Sequence, residues 1–214
     1  MQVKYNYLVI EGNIGSGKTS LATRISEQYN AKLILEQFAD NPFLPKFYKD
    51  PDKYAFPLEL SFLAERYRQL KEDLSKQDLF KDFTIADYNF NKTLIFAKTT
   101  LQTDEFNLFS KLFTIINDSL PKPDLFVYLY LDVDKLISNI HKRGRNYEKN
   151  IQKEYLQNIQ NGYLDFIKNN QHILKILIID TNNIDFVDSY NDYQKIIKTI
   201  FNKDYEVGIN RMKL

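Results

Sequence analysis

Gly12-Asn13-Ile14-Gly15-Ser16-Gly17-Lys18-Thr19 follows the apolar run Tyr7–Ile10 and precedes a segment of helical period. The spacing is G-x-x-x-x-G-K-[ST], and strand, glycine loop and helix stand in the order in which such a loop wraps phosphate groups. Glycines let successive backbone N–H groups converge on one anion, the helix adds the positive end of its dipole, and Lys18 extends toward the terminal phosphates. Residues 12–19 are therefore the expected nucleotide-phosphate site: Gly12, Asn13, Ile14, Gly15, Ser16, Gly17 and Lys18, with the Thr19 hydroxyl directed to Mg²⁺. A loop of this kind serves GTPases, ATPases and small-molecule kinases alike, so by itself it leaves the reaction open.

Outward from the loop, short apolar runs at Leu33–Leu35, Phe83–Ala86, Leu125–Leu131 and Ile176–Ile179 alternate with long segments of helical period. With Tyr7–Ile10 they predict an α/β fold, a five-stranded parallel sheet with crossover helices, in a single domain over 1–214. Apolar spacing predicts long amphipathic helices at Tyr54–Leu74, Asp104–Leu120 and Ile151–Lys168, the second stopped by Pro121-Lys122-Pro123.

Glu36 and Asp87 close the second and third strand-like runs, and in a parallel sheet such ends open onto the crevice that holds the glycine loop. A carboxylate at Glu36 suits acceptance of a proton from an attacking hydroxyl; one at Asp87 suits assistance to Mg²⁺, or a helix N-cap. Further on, Lys142-Arg143-Gly144-Arg145-Asn146-Tyr147-Glu148 sets two arginine forks about a glycine hinge, which suits a lid over transferring phosphates.

Lys+Arg number 29 against Asp+Glu 28 in 214 residues, which gives no broad electrostatic case for a nucleic-acid polymer or an anionic membrane. The absence of cysteine excludes disulfides, thiolate catalysis and zinc–thiolate sites. No stretch approaches the ~18–20 apolar residues of a membrane helix, and no signal peptide is evident, so a cytoplasmic location is expected.

The glycine loop, Glu36 and the lid sequence together resemble the deoxynucleoside kinase family, which includes deoxycytidine, deoxyguanosine and deoxyadenosine kinases. The resemblance implies an ATP- and Mg²⁺-dependent P-loop kinase, with Glu36 as the base acting on the substrate 5′-hydroxyl and Lys18, Arg143 and Arg145 on the phosphates. It implies Glu148 and Tyr48 on the sugar 3′-hydroxyl, Glu59 and Arg66 at the base edge, Phe96 stacked on the base, and Asp185-Phe186 near the donor base. It also implies a homodimer through long helices. The chain departs from the family where an arginine usually follows the third-strand acid, which here reads Asp87-Tyr88; the resemblance leaves that arginine's job to a lid arginine. It departs again at Glu59, in place of a glutamine, and around Lys92, in place of an acid.

A carboxylate only accepts hydrogen bonds, so Glu59 suits a base edge rich in N–H donors, which favours a purine without separating guanine from adenine. Glu59 and Arg66 could instead form an ion pair on their helix, and Tyr48 could be an aromatic core residue. The alternative functions are a nucleoside monophosphate kinase and a non-catalytic assembly subunit of similar fold.

Overall fold

Every residue of the first strand is buried, and its side chains divide by parity between two apolar layers. Leu8 and Ile10 join Leu21, Ile25, Ile196 and Ile200 on one face, whereas Tyr7 and Val9 join Leu63, Phe109, Ile159 and Tyr163 on the other. A strand covered on both faces reads as a continuous apolar run, because the two-residue period sends alternate side chains to opposite helical layers.

The computed structural model describes residues 3–37, 41–76, 78–148 and 151–214. In chain order the elements are β1 (Tyr7–Gly12), α1 (Lys18–Gln28), β2 (Lys32–Ile34), α2 (Leu44–Phe47), α3 (Pro51–Ser75), β3 (Thr84–Ala86) and α4 (Lys92–Thr100). They continue with α5 (Thr103–Asn117), β4 (Leu125–Tyr130), α6 (Val133–Arg143), a 3-10 turn (Asn146–Glu148), α7 (Lys153–Asn170), β5 (Lys175–Asp180), α8 (Tyr190–Phe201) and β6 (Gly208–Lys213).

The sheet is six-stranded and wholly parallel, in the order β2-β3-β1-β4-β5-β6. The expected count of five is thus corrected to six. The added strand, Gly208-Ile209-Asn210-Arg211-Met212-Lys213, lies at the sheet edge and is at most half-buried, so it carries no apolar run to announce itself. Arg211 and Lys213 on an edge strand also discourage pairing with a second sheet.

Helix boundaries follow local chemistry. Pro51 starts α3 at its first position, where a missing N–H costs nothing, and extends the helix beyond the expected Tyr54. A capping box between Gln102 and Glu105 opens α5, which ends at Asn117, before the proline pair. The chain passes from β1 out to β2, returns to β3 beside β1, then continues to β4 on the other flank of β1. The topological reversal therefore lies at β1, and a crevice opens at the C-terminal ends of β3, β1 and β4.

Candidate active site

The glycine loop occupies that crevice. Gly17 caps α1 with φ 85°, and a Cβ placed there would stand 2.6 Å from Cζ of Phe186. Both the left-handed backbone and the packed ring require glycine. Gly12 lies against β4 and Gly15 against α6, so the loop is wedged between strand and helix. Asn13 is buried, and its side-chain amide donates to the Leu156 carbonyl at 2.8 Å, while its Oδ1 accepts the Ile14 amide at 2.8 Å. The buried Ser16 hydroxyl oxygen has no hydrogen-bond partner among the described residues, which leaves it open to an anion. Lys18 Nζ donates to the Asn13 carbonyl at 2.9 Å; burial, followed by the charge of Lys92, brings its pKa down to about 8. A lysine in that state gains most from a polyanion that neutralises it.

Asp87 ties three segments together. Its Oδ2 accepts the Thr19 hydroxyl at 2.5 Å, and its Oδ1 accepts the Glu36 amide at 2.8 Å. The Thr19 hydroxyl and Asp87 carboxylate are hard oxygen donors side by side, which fits Mg²⁺, an ion that keeps several waters and takes phosphate oxygens for the rest. Among the described residues no cluster of three or more metal-ligating side chains offers a complete protein cage.

Glu36 sits within a buried triad. Arg66 reaches its Oε1 through Nε at 2.9 Å and Nη2 at 2.7 Å, and Lys92 Nζ lies 2.5 Å from Oε2. Arg66 Nη1 donates to the Thr93 hydroxyl at 3.0 Å, and the guanidinium lies 4.5 Å over the Phe62 ring. Burial alone would raise the Glu36 pKa, but Lys92 and Arg66 overcome it and bring the group down to about 2. Arg66, expected at a base edge, is thus committed to Glu36 and Thr93. Tyr88, the residue in place of the family arginine, is fully buried with its hydroxyl on Gln69 Oε1 at 2.9 Å. The second cation beside Glu36, after Arg66, is Lys92 from the first turn of α4.

Beyond the triad lies a cleft that takes part of its lining from Glu36, Arg66 and Lys92. Tyr48, Glu59, Arg66, Phe96, Glu148 and Tyr155 all line it. Glu59 is 2% exposed, and desolvation raises its pKa to about 7. Tyr48 stacks on Tyr147 of the lid with ring centroids 5.9 Å apart. Burial and the charge of Glu148 push its phenol well above the ordinary value. Glu148 is buried and receives both lid arginines, Arg143 on Oε2 and Arg145 on Oε1 at 3.3 Å. Gly144, between them, is left-handed with φ 74° and closes α6.

A second, larger cleft on the other side is lined by the loop, Lys135, Asn139, Asn182, Asp185 and Phe186. Gly15, Lys18, Thr19, Glu36, Asp87, Arg143 and Arg145 line both clefts. Asp185 is exposed, its Oδ1 accepting the Val187 and Asp188 amides in a local turn. Phe186 is buried against Gly17, so its ring braces the loop.

Sequence reasoning missed Glu11, the place of Tyr155 in the cleft and the pairing of Lys92. Glu11 is wholly buried under the loop, accepting from the Asn89 amide at 2.7 Å and the Tyr163 hydroxyl at 2.8 Å, and burial raises its pKa. Its signal was present: a lone carboxylate inside the buried run Tyr7–Gly12 needs internal partners.

The profile of the family described as "Deoxynucleoside kinase" matches residues 8–204. A deoxyguanosine kinase of Bacillus subtilis is 39% identical over 194 residues, covering 89% of this chain and 93% of the relative. A deoxyadenosine kinase of Dictyostelium discoideum is 31% identical over 183 residues, covering 85% and 74% respectively. A solved deoxyadenosine kinase of M. mycoides, with dCMP and dCDP bound, superposes with TM-score 0.79 at 25% identity, covering 91% of this chain and 98% of its own. With its glycine loop between two clefts and this breadth of similarity, the chain belongs to the deoxynucleoside kinase family.

Proposed function

We propose that this enzyme transfers the γ-phosphate of ATP to the 5′-hydroxyl of a purine 2′-deoxynucleoside, deoxyguanosine or deoxyadenosine. The observation that carries the reading is the set of residues shared by the two clefts, which is a phosphate loop, a proton acceptor and two arginines. A donor in the larger cleft and an acceptor in the smaller would meet there. The O5′–P bond forms as the bond from the γ-phosphorus to the bridging β-phosphate oxygen breaks. The hydroxyl proton passes to Glu36 and on to solvent.

A carboxylate with pKa about 2 is a weak base. That suits a loose transition state, where the hydroxyl must first be oriented and gives up its proton late. Arg66 and Lys92 hold Glu36 ionised and aimed. Lys18, Arg143 and Arg145 neutralise the transferring phosphoryl group. Thr19 and Asp87 would hold Mg²⁺, which supplies further charge neutralisation when bound. On the acceptor side Tyr48 and Glu148 hold the 3′-hydroxyl, Phe96 stacks on the base and Glu59 takes its N–H donors. Asp185 lies at the donor-base side.

The reading extends to assembly and location. On α5, Leu108, Leu112 and Ile115 recur at helical spacing and are 52%, 36% and 77% exposed, which supports a homodimer through this face. The dependence on ATP supports a cytoplasmic location, and among the described residues no helix is long and apolar enough to cross a membrane. The single sheet supports one domain over 1–214. Assay of four deoxynucleosides and their monophosphates with ATP and Mg²⁺ tests the function. Turnover confined to the monophosphates would overturn it; a monomer by light scattering at micromolar concentration would overturn the dimer.

A further inference from the structure

Glu59 projects from α3 into the smaller cleft, and its surroundings admit a count of protons. Its Oε1 lies 3.0 Å from the Thr100 hydroxyl oxygen, which itself lies 3.0 Å from the Phe96 carbonyl. Its Oε2 is buried with no hydrogen-bond partner among the described residues. The threonine has one hydrogen to give. If Glu59 is ionised, that hydrogen must serve Oε1, Phe96 loses it, and Oε2 is left as a bare buried charge. If Glu59 is protonated, its O–H donates to Thr100 and Thr100 donates to Phe96, one hydrogen per link. Oε2 is then a neutral carbonyl oxygen, and the desolvation cost of an unpaired buried charge is avoided.

We propose that Glu59 is uncharged in the empty cleft and that deoxyguanosine, unlike deoxyadenosine, must expel its proton to bind, so that this carboxyl selects between the two purines in a proton-linked way. The inference rests on the proposed placement of the base beside Glu59. Guanine presents N1–H and the 2-amino group side by side, and both carboxyl oxygens must accept, which an acid proton forbids. Adenine presents the 6-amino donor beside the acceptor N1, and the neutral carboxyl can accept the 6-amino hydrogen on its carbonyl oxygen while its O–H stays on Thr100.

The charged and titratable groups around Glu59 leave this balance close. Arg66, on the same helix, and Lys92, on α4, favour the ionised form, but both are locked onto Glu36. Glu36, at the end of β2, opposes ionisation. Tyr155 of α7 faces it as a neutral phenol, as does Tyr48 after α2, and the lid contributes Glu148 already paired with Arg143 and Arg145. Burial decides, and brings the group to about 7.

Calorimetric titration of the full chain with each nucleoside, in two buffers of different ionisation enthalpy at pH 6, 7 and 8, counts the protons released. Deoxyguanosine should release close to one proton at pH 6, about half at pH 7 and about a tenth at pH 8, its affinity falling about tenfold per pH unit below 7. Deoxyadenosine should release none. Glu59→Gln should bind deoxyguanosine more weakly and without proton release. If the wild-type enzyme binds deoxyguanosine with no proton release and equal affinity at pH 6 and 8, the inference is wrong. In that case a loss of affinity in Glu59→Gln would still leave the base beside residue 59, whereas unchanged affinity would overturn that placement as well. The wild-type comparison decides the matter whether or not the variant folds.

Discussion

Lys92 Nζ stands 2.5 Å from Oε2 of Glu36, with both side chains less than a tenth exposed. The lysine thereby supplies a fixed positive charge next to Glu36, the proposed proton acceptor, at a point where the third-strand segment itself offers only the buried Tyr88. Breaking a buried pair by removing one partner costs about 3–5 kcal/mol when nothing replaces it, and here Arg66 retains part of the balance. Lys92→Met should therefore lower the melting temperature and reduce kcat/KM by about a hundredfold, as for loss of one preorganised charge at a reacting centre. Lys92→Arg should recover part of both. Unchanged kinetics in Lys92→Met would mean that the pair serves stability alone.

Glu36→Gln keeps the shape of the side chain and removes its capacity to take a proton, the role proposed for it. Turnover should fall by about 10²–10⁴-fold while deoxynucleoside affinity changes little. A drop of less than a few-fold in steady-state assays would make Glu36 a bystander.

The same variant gives a stability test with a definite sign. The folded pKa of Glu36, about 2, lies below its ordinary 4.5, so its ionised form stabilises the fold fully above pH 4.5 and the contribution is lost as pH falls through 2. The gap in melting temperature between wild-type and Glu36→Gln should close as pH is lowered from about 5 to about 2. A gap that stays constant over this window would contradict the depressed pKa.

Tyr48 stacks on Tyr147 and lines the smaller cleft. Tyr48→Phe preserves the stack on Tyr147 and removes only the hydroxyl. The KM for deoxynucleoside should rise by about two- to tenfold, from a lost bond between neutral hydroxyls worth about 0.5–1.5 kcal/mol, and the KM for ATP should stay as it was. Selectivity for deoxyribose over ribose should weaken in parallel. An equal rise in both KM values would tie Tyr48 to lid closure instead of the sugar.

Gly17→Ala introduces a Cβ at φ 85° and 2.6 Å from the Phe186 ring. Left-handed backbone costs an L residue about 1–2 kcal/mol, and the clash adds to it, so the loop should shift. Titration calorimetry should find ATP binding severely weakened and deoxynucleoside binding retained. Pairing the change with Phe186→Leu should restore part of the ATP affinity by relieving the clash.

The chain order of residues was enough to read the parallel α/β fold, the phosphate loop and the strand-end positions of Glu36 and Asp87. The reason is local: period-two and helical apolar patterns, the glycine spacing and the strand–loop–helix order are properties of short segments. The edge strand β6 escaped because a half-exposed edge needs no apolar run, and its existence depends on pairing with β5. The partners of Glu36 were likewise beyond reach. Arg66 lies 30 residues and Lys92 56 residues along the chain from it, and only packing of α3 and α4 beside β2 brings all three together. The sequence by itself determined what chemistry the side chains could offer, because residue type sets donors, acceptors and charge. Which carboxylate has its pKa lowered and which has it raised was decided by tertiary structure alone. Glu36 and Glu59 are the same residue type, both buried, and differ by two ion-paired cations against one threonine hydroxyl.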